Sequence, residues 1–443
     1  MKEACKKKIR GSILLLLSFV FCFATSCKDD NDDEGGKGYD SSKPVTFERF
    51  SPESGTSGDH FFVYGDNFGN DKSRVKLTIN GQDALVINVN NTCIYGKVPV
   101  RAGEGTVKVT SGGEGETPTE YSFEKPFEYK GIMRVSTLCG YVDRDGNSSR
   151  KDGTLAEAQF QAPYWLAMDN NKDLWLIEEY NSIRRISIKN DAVTTLMGTG
   201  GDMGRPRTLA FSLDSDTLFI ANDADGHGSM AVARSYRADG FKDWSSMIRS
   251  GWCNGASIHP KTGDLFFNSF EQGQLYKWDY ALNEKKELFK IDDVRWEFNI
   301  QFAPSGKFAY LVVKNQQYIL KSYFDEDRRE LKLANIFCGK KGSADFADGV
   351  GTKARFNQPH EGCFDEDDNF YICDVDNHCI RKISPDGVVS TFAGRPREAG
   401  YADGDLRKEA QFRNPSGIVY DKDSKTFYIA DMGNKRIRTI RVE

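Results

Sequence analysis

The stretch FCGKKGSADFADGVGTKARFNQPHEGCFDEDDNFYICDVDNHCIRKI, Phe337 to Ile383, decides the fold. It returns almost at once as FAGRPREAGYADGDLRKEAQFRNPSGIVYDKDSKTFYIADMGNKRIRTI, Phe392 to Ile440. A copy of its first half lies upstream at Leu138–Asp169, LCGYVDRDGNSSRKDGTLAEAQFQAPYWLAMD. Each copy reads small residue, Gly, a long polar loop, Asp-Gly, Ala-x-Phe-x-x-Pro, then an alternating run ending in Asp. A pattern that recurs at this length is one supersecondary unit stacked on its neighbours. It specifies an architecture before any single residue specifies chemistry.

Taken in register with Pro359, equivalent positions are Pro163, Pro206, Cys253, Glu297 and Pro415, with successive spacings of 43, 47, 44, 62 and 56 residues along the chain. Each unit carries strand a (LAMD, LAFS, ASIH, IQFA, GCFD, IVYD) and strand b (DLWLI, TLFIA, DLFFN, FAYLV, NFYIC, TFYIA). Strand c follows (IRRISI, MAVARSY, QLYKWDY, QYILKSY, CIRKIS, RIRTIR), then a more variable fourth strand. Four short strands in each of six units predict an all-β, six-bladed β-propeller. The sixth unit stops after strand c. Ile132–Gly140 is a strand without a unit of its own, and it matches Val388–Gly394, the fourth strand of blade five. This N-terminal strand is expected to complete blade six, closing the ring and removing the open edges that invite aggregation. The pattern P-x-G-I-x-x-D…L-Y-I-A-D-x-x-N-x-R-I-R-x-I resembles the NHL repeat. The likeness is close in blades five and six, recognisable in blade one, and carried by period and strand pattern in blades two to four.

The rest of the chain frames this region. Its 443 residues are 39% hydrophobic and include 42 glycines, enough for a large core between many turns. A net charge of −5, with no basic stripe interleaved with aromatics, argues against nucleic acid as a partner. Lys2–Arg10 is basic, and Ile13–Phe23 is an apolar run too short to cross a bilayer. Ala24-Thr25-Ser26-Cys27 follows. This order resembles a bacterial lipoprotein signal, which implies that Cys27 is lipidated and anchors the chain in the outer membrane. The acidic run KDDNDDEGG behind it resembles the export signal of surface-exposed lipoproteins in glycan-degrading Gram-negative bacteria. Residues 1–27 are thus expected to be signal peptide, and residues 28–43 a disordered acidic tether. Residues 44–130 show short alternating strands between Gly, Asn and Asp turns, the pattern of a small β-sandwich. FSPESGTSGDHFFVYGDNFG (Phe50–Gly69) and TINGQDALVINVNNTCIYGKVPV (Thr78–Val100) resemble the IPT/TIG immunoglobulin-like family, which implies a spacer. Residues 131–443 form the propeller. Of the ten cysteines, three fall within the first 27 residues and the other seven show no zinc-type CxxC pair. They read mainly as small buried apolar residues, with a Cys363–Cys373 disulfide as the alternative.

In a propeller, strand a lines the central channel and begins at the face where the d–a and b–c loops gather. The residues after each anchor are therefore the informative ones. They are Tyr164-Trp165, Arg207-Thr208, Asn254-Gly255, Phe298-Asn299, His360-Glu361 and Ser416-Gly417, with Trp252 and Trp296 just before their anchors. The candidate ligand-binding set is Tyr164, Trp165, Arg207, Trp252, Asn254, Trp296, Phe298, Asn299, His360 and Glu361. Flat apolar rings beside hydrogen-bonding groups suit a sugar, which has an apolar CH face and a polar rim. The competing reading of Trp252 and Trp296 is packing between blades. The b–c loops add Glu178, Glu179, Tyr180, Asp223, His227, Phe270, Lys314, Asn315, Asp374 and Asp431 to the same face. Asp374 and Asp431 are expected to cap turns, Arg381 and Arg438 to tie neighbouring blades, and the repeated Asp-Gly pairs to set turn geometry.

The NHL resemblance also implies enzymes, since such propellers include an amidating lyase, and related propellers include metal-dependent lactonases. Zinc needs converging histidines. His259 sits in a turn away from the mouth and His378 in the blade-five loop, leaving only His227 and His360. Glu361, Asn299 and Asn254 are the oxygen donors that would hold a structural calcium, the alternative to a site with no cofactor. No GxSxG or HExxH occurs. The favoured expectation is a non-enzymatic, surface-exposed outer-membrane lipoprotein. It would bind an extracellular polysaccharide or oligosaccharide at the loop face and present it to an outer-membrane transporter complex. The alternatives are a lyase or hydrolase acting on a glycan or peptide there, and a protein-interaction platform.

Overall fold

The computed structural model describes residues 38–443 except 101, 114, 180, 181, 293 and 294. The expected signal segment, Cys27, most of the tether and Tyr180 lie outside the described residues. The described chain divides into one compact unit ending at Tyr129 and another running from Lys130 to Glu443.

The first unit is a β-sandwich. One sheet orders the strands Thr46–Ser51, His60–Asp66, Cys93–Lys97 and Leu85–Asn90. The other orders Gln82–Asp83, Val75–Ile79, Val107–Ser111 and Thr119–Ser122. Alternation along each strand turns Phe61, Val63, Leu77, Ile79, Ile94, Val107 and Val109 inward, where Phe50, Phe68 and Phe127 complete the core. His60 is a strand residue packed edge-on against Tyr95.

The second unit is a closed six-bladed propeller. Strands a to d follow one another outward in each of blades one to five, from Pro163–Met168 in blade one to Val388–Ala393 in blade five. Blade six supplies Pro415–Asp421, Thr426–Asp431 and Arg436–Val442, and its fourth strand is Met133–Cys139 from the N-terminal side. Closure is therefore as the repeat register predicts.

The anchor proline has a structural consequence. In blades one, two, five and six, strand a slips register against strand b directly after Pro163, Pro206, Pro359 and Pro415. Blades three and four have Cys253 and Glu297 at the anchor, and their a–b ladders run without a slip. Proline has no N–H to give to a ladder, so it sits naturally at a bulge, and a bulge re-aims the side chains after it. The elements that aim residues at the mouth are thus written into the anchor position.

Polar side chains knit the ring near its axis. The Thr208 hydroxyl accepts from Ala256 N at 3.0 Å and donates to Ala256 O at 3.3 Å, joining blade two to blade three. Asn268 donates to Phe298 O (2.8 Å), and Asn299 to His360 O (3.1 Å). Ser416 reaches Pro163 O (3.1 Å) across the closing seam.

The Asp-Gly and R-I-R residues form a repeated clasp. Arg381 donates to Asp374 and to Asp348, both at 2.7 Å, and Asp348 also accepts from Thr391 at 3.2 Å. In blade six Arg438 joins Asp431 (2.7 Å) and Asp403 (2.5 Å), and the threonine is Thr137 on the closing strand (3.2 Å). Arg184, Glu178, Asp152 and Thr195 repeat the arrangement in blade one. This corrects two expectations. The arginines tie each blade to its own incoming loop, not to a neighbouring blade, and Glu178 is a buried clasp partner, not a mouth residue. Asp374 and Asp431 also accept the backbone N–H groups of Asn357 (2.7 Å) and Arg413 (2.8 Å). All seven described cysteines are free thiols, so no Cys363–Cys373 disulfide forms.

Candidate ligand-binding site

Strand a of each blade runs from the mouth to the opposite face, and the ten expected residues separate into three places. Tyr164, Arg207, Asn254, Phe298, Asn299 and His360 gather at the mouth, around a well of about 10 Å³ that Glu297 and Lys314 complete. Trp165 and Glu361 instead line the central channel, a cavity of about 400 Å³ reaching the a–b turns of the opposite face at Asn170, Leu213 and Pro304. Trp252 and Trp296 line neither cavity.

The expectation that Trp165 and Glu361 face the mouth is therefore corrected. His360 and Glu361 lie within the register slip after Pro359, and there His360 meets the well while Glu361 enters the channel. Glu361 is buried, and its Oε2 accepts from Leu166 N at 2.9 Å and Ile418 N at 3.2 Å, stapling blade five to blades one and six. Burial raises its pKa well above the usual carboxyl value, against the lowering effect of those two bonds. A Cβ on Gly417 would lie 2.9 Å from Oε2, so the glycine of blade six makes room for the glutamate of blade five. Trp165 is buried edge-on to the His360 ring at 5.6 Å.

At the mouth, Arg207 is the centre of charge. It donates to Asp223 Oδ2 at 2.9 Å and to Glu179 at 3.2 Å, and lies 4.0 Å from Glu297 Oε1. Lys314 lies 4.0 Å from Glu297 Oε2 and donates to the Tyr164 hydroxyl at 3.4 Å. Burial opposes the Lys314 charge, but Tyr164 and Glu297 outweigh it and hold its pKa above the ordinary lysine value. Burial raises Tyr164, with Lys314 and Arg207 pulling the other way, and burial also raises Asp223. His360 packs on Tyr164 at 4.4 Å, and its Nδ1 lies 2.7 Å from Ser416 O. A carbonyl only accepts, so Nδ1 carries the proton and Nε2 presents a lone pair. Burial, with Lys314 and Arg207 nearby, pushes the imidazole pKa well below its usual value, so the ring is neutral near pH 7.

The loops entering blades three and four carry two tryptophans, an aromatic rim on one side of the loop face. Trp296 is 40% exposed. Trp252 packs edge-on against His227 at 4.8 Å. Their loops are laced through Phe270, whose N–H donates to Trp252 O (3.0 Å) and whose carbonyl accepts from Arg295 N (2.7 Å). The two tryptophans thus occupy one sector of the rim, on the loops entering blades three and four, and Trp165 is not part of it.

No three His, Cys, Asp or Glu residues group as a metal site among the described residues. The proposed calcium donors do not fit that ion. Asn254 Oδ1 accepts from Asn268 Nδ2 at 2.9 Å, Glu361 Oε2 is taken by backbone N–H groups, and Glu361 lines a different cavity from the two asparagines. His259 is a turn residue with Nε2 at 2.9 Å from Gly306 O; His378, whose Nδ1 accepts from Asn414 N at 3.2 Å, is in the b–c turn of blade five, and neither lines the well.

Sequence reasoning did not select Glu297 for the site, and placed Lys314 only among the general loop residues. Both carry a legible signal. In blade four Glu297 stands at the anchor proline position, and Lys314 N bonds Glu297 O at 3.2 Å, as expected of a residue in the place of Asp374. Blade four thus reverses the usual charge at the end of strand b.

The IPT/TIG domain family matches residues 45–125. A solved structure from Bacteroides thetaiotaomicron, described as an auxiliary nutrient binding protein, is 38% identical, covering 92% of this chain and 99% of that one with a TM-score of 0.70. One from Bacteroides ovatus with the same description is 29% identical, covering 92% and 100%, with a TM-score of 0.83. NHL repeat-containing protein 2 of Gallus gallus is 24% identical over 67% of this chain, which spans only 41% of that relative's length. The chain belongs to the family of these Bacteroides proteins, in which an IPT/TIG domain is followed by an NHL-repeat β-propeller.

Proposed function

We propose that this protein binds a polysaccharide or oligosaccharide nutrient outside the cell, at the loop face of its propeller. It is held as an outer-membrane lipoprotein by Cys27 and passes the glycan to an outer-membrane uptake complex. The observation that carries this reading is the pair of Trp252 and the exposed Trp296, on loops laced through Phe270, with Trp296 next in the chain to Glu297 of the polar well. Such a pairing of apolar ring and hydrogen-bonding group matches the two faces of a sugar. The descriptions of the Bacteroides relatives as auxiliary nutrient binding proteins agree with it. So does the acidic run behind Cys27.

The test is affinity electrophoresis and calorimetry against a panel of plant and microbial polysaccharides, with Trp296→Ala and Trp252→Ala beside Tyr323→Ala, an exposed aromatic on strand c of blade four. Each rim variant should lose about tenfold or more in affinity, as a stacking platform worth about 1–3 kcal/mol predicts. The control should bind as wild type. Equal binding by all three variants defeats the aromatic-rim reading, and release of product during incubation favours an enzyme.

A further inference from the structure

Resting on the glycan reading, we infer that the well at the mouth accepts one uncharged sugar hydroxyl and rejects a carboxylate, so that the protein selects neutral sugars over uronic acids. The first support is size. The well measures about 10 Å³, the room of a single water, which a hydroxyl oxygen can replace bond for bond. A carboxylate brings two oxygens on a planar carbon, and a well of this size holds only one of them.

The second support is charge. Arg207 and Lys314 could suggest an anion site, but carboxylates already face both. Arg207 bonds Asp223 and Glu179 and has Glu297 within 4.0 Å, and Lys314 has Glu297 at 4.0 Å. Arg205 adds a third cation, 3.7 Å from Asp223 Oδ1. Arg205 also bonds Asp225 at 3.1 Å, so Arg205, Arg207 and Lys314 face four carboxylates, Glu179, Asp223, Asp225 and Glu297. An incoming carboxylate would add a further anion to a largely desolvated site, where like charges are costly.

The third support is hydrogen-bond polarity. With Nδ1–H committed to Ser416 O, His360 offers the well a lone pair at Nε2. The Tyr164 hydroxyl and Lys314 ammonium supply donors on the same wall. A hydroxyl both donates and accepts, and so satisfies the two sides at once. A carboxylate only accepts, and would meet the Nε2 lone pair with one of its own.

The experiment compares amylopectin, pullulan and galactomannan with the same polymers after selective oxidation of their primary hydroxyls to carboxylates. Binding is measured by calorimetry in about 0.15 M salt, where the Debye length of about 8 Å mutes long-range repulsion. Wild type should bind a neutral polymer about tenfold or more tighter than its oxidised form. Glu297→Gln, which removes one carboxylate without changing shape, should narrow that ratio. Lys314→Met should widen it. Both variants are checked for an unchanged thermal melt, and either one alone suffices if the other fails to fold. An oxidised polymer that binds as tightly as its parent overturns this inference and leaves the glycan reading standing. So does a ratio unmoved in the folded variants. Failure of every neutral and oxidised glycan to bind refutes the glycan reading and this inference with it.

Discussion

Glu361 offers the sharpest test of how the ring is held. Its Oε2 accepts two buried backbone N–H groups, from Leu166 in blade one and Ile418 in blade six. Alanine orphans both. At about 1–3 kcal/mol for each unsatisfied buried donor, the loss is about 2–6 kcal/mol. Glutamine keeps an oxygen in place and should cost little. The carboxyl adds a pH signature, because burial raises its folded-state pKa well above the ordinary value. The folded protein retains a proton that the unfolded chain releases above about pH 4.3. The stability from this group is therefore full below that pH, and is lost as pH rises toward the folded value. Glu361→Gln removes the dependence. Urea midpoints at pH 5 and pH 8 should show the glutamine variant gaining on wild type at the higher pH. An alanine variant as stable as wild type at pH 5, or a glutamine variant that tracks wild type across the range, would refute the staple.

Four further outcomes follow from the scaffold. Arg381→Met or Arg438→Met strands a buried aspartate, Asp374 or Asp431, and should cost about 3–5 kcal/mol by denaturant titration. Asp403→Asn touches only the half-exposed end of the clasp and should cost under about 1 kcal/mol. Gly417→Ala places a Cβ within 3.0 Å of Ala430 Cβ and Tyr164 O as well as near Glu361, and should lower stability by about 1–3 kcal/mol in thermal melts. Burial raises the thiol pKa of Cys139, Cys253, Cys338, Cys373 and Cys379, that of Cys253 to about 12. Mass spectrometry after iodoacetamide at pH 8 should find all five unmodified until denaturant is added.

The blades were legible because a propeller writes its architecture as period and alternation, and both survive where the motif residues fade, as in blades two to four. The closing strand was legible because one orphan strand matched one missing strand. What side chains do at the axis was less accessible. His360 and Glu361 are neighbours in sequence, and the register slip after Pro359 sends them to different cavities. A reading that groups residues by position after the anchor merges them. Trp165 was misplaced for the same reason. The partner of a long charged side chain was equally hidden. Glu178 reads as a loop carboxylate until Arg184, on the next strand, is seen to reach back to it. Glu297 was the opposite case: a proline position filled by glutamate is visible in the sequence, and marks one wall of the well.

Blade six is built from two pieces of chain that meet late. Ser136 donates to Glu443 at 2.8 Å across a sequence separation of 307. Closing a loop of that length costs only about 5 kcal/mol, because the entropy grows with the logarithm of length. Time is the larger demand. At a synthesis rate of about 5–20 residues per second, Met133–Cys139 waits about 15–60 s for the strand that will pair with it. Throughout that interval it is a bare strand edge beside folding neighbours, the condition under which chains pair wrongly. Arg134, Ser136 and Thr137 break up its apolar content with a charge and two hydroxyls. In the finished ring they join Glu409, Glu443 and Asp403. The same three side chains thus serve two moments in the life of the molecule, keeping a waiting strand soluble and then securing it.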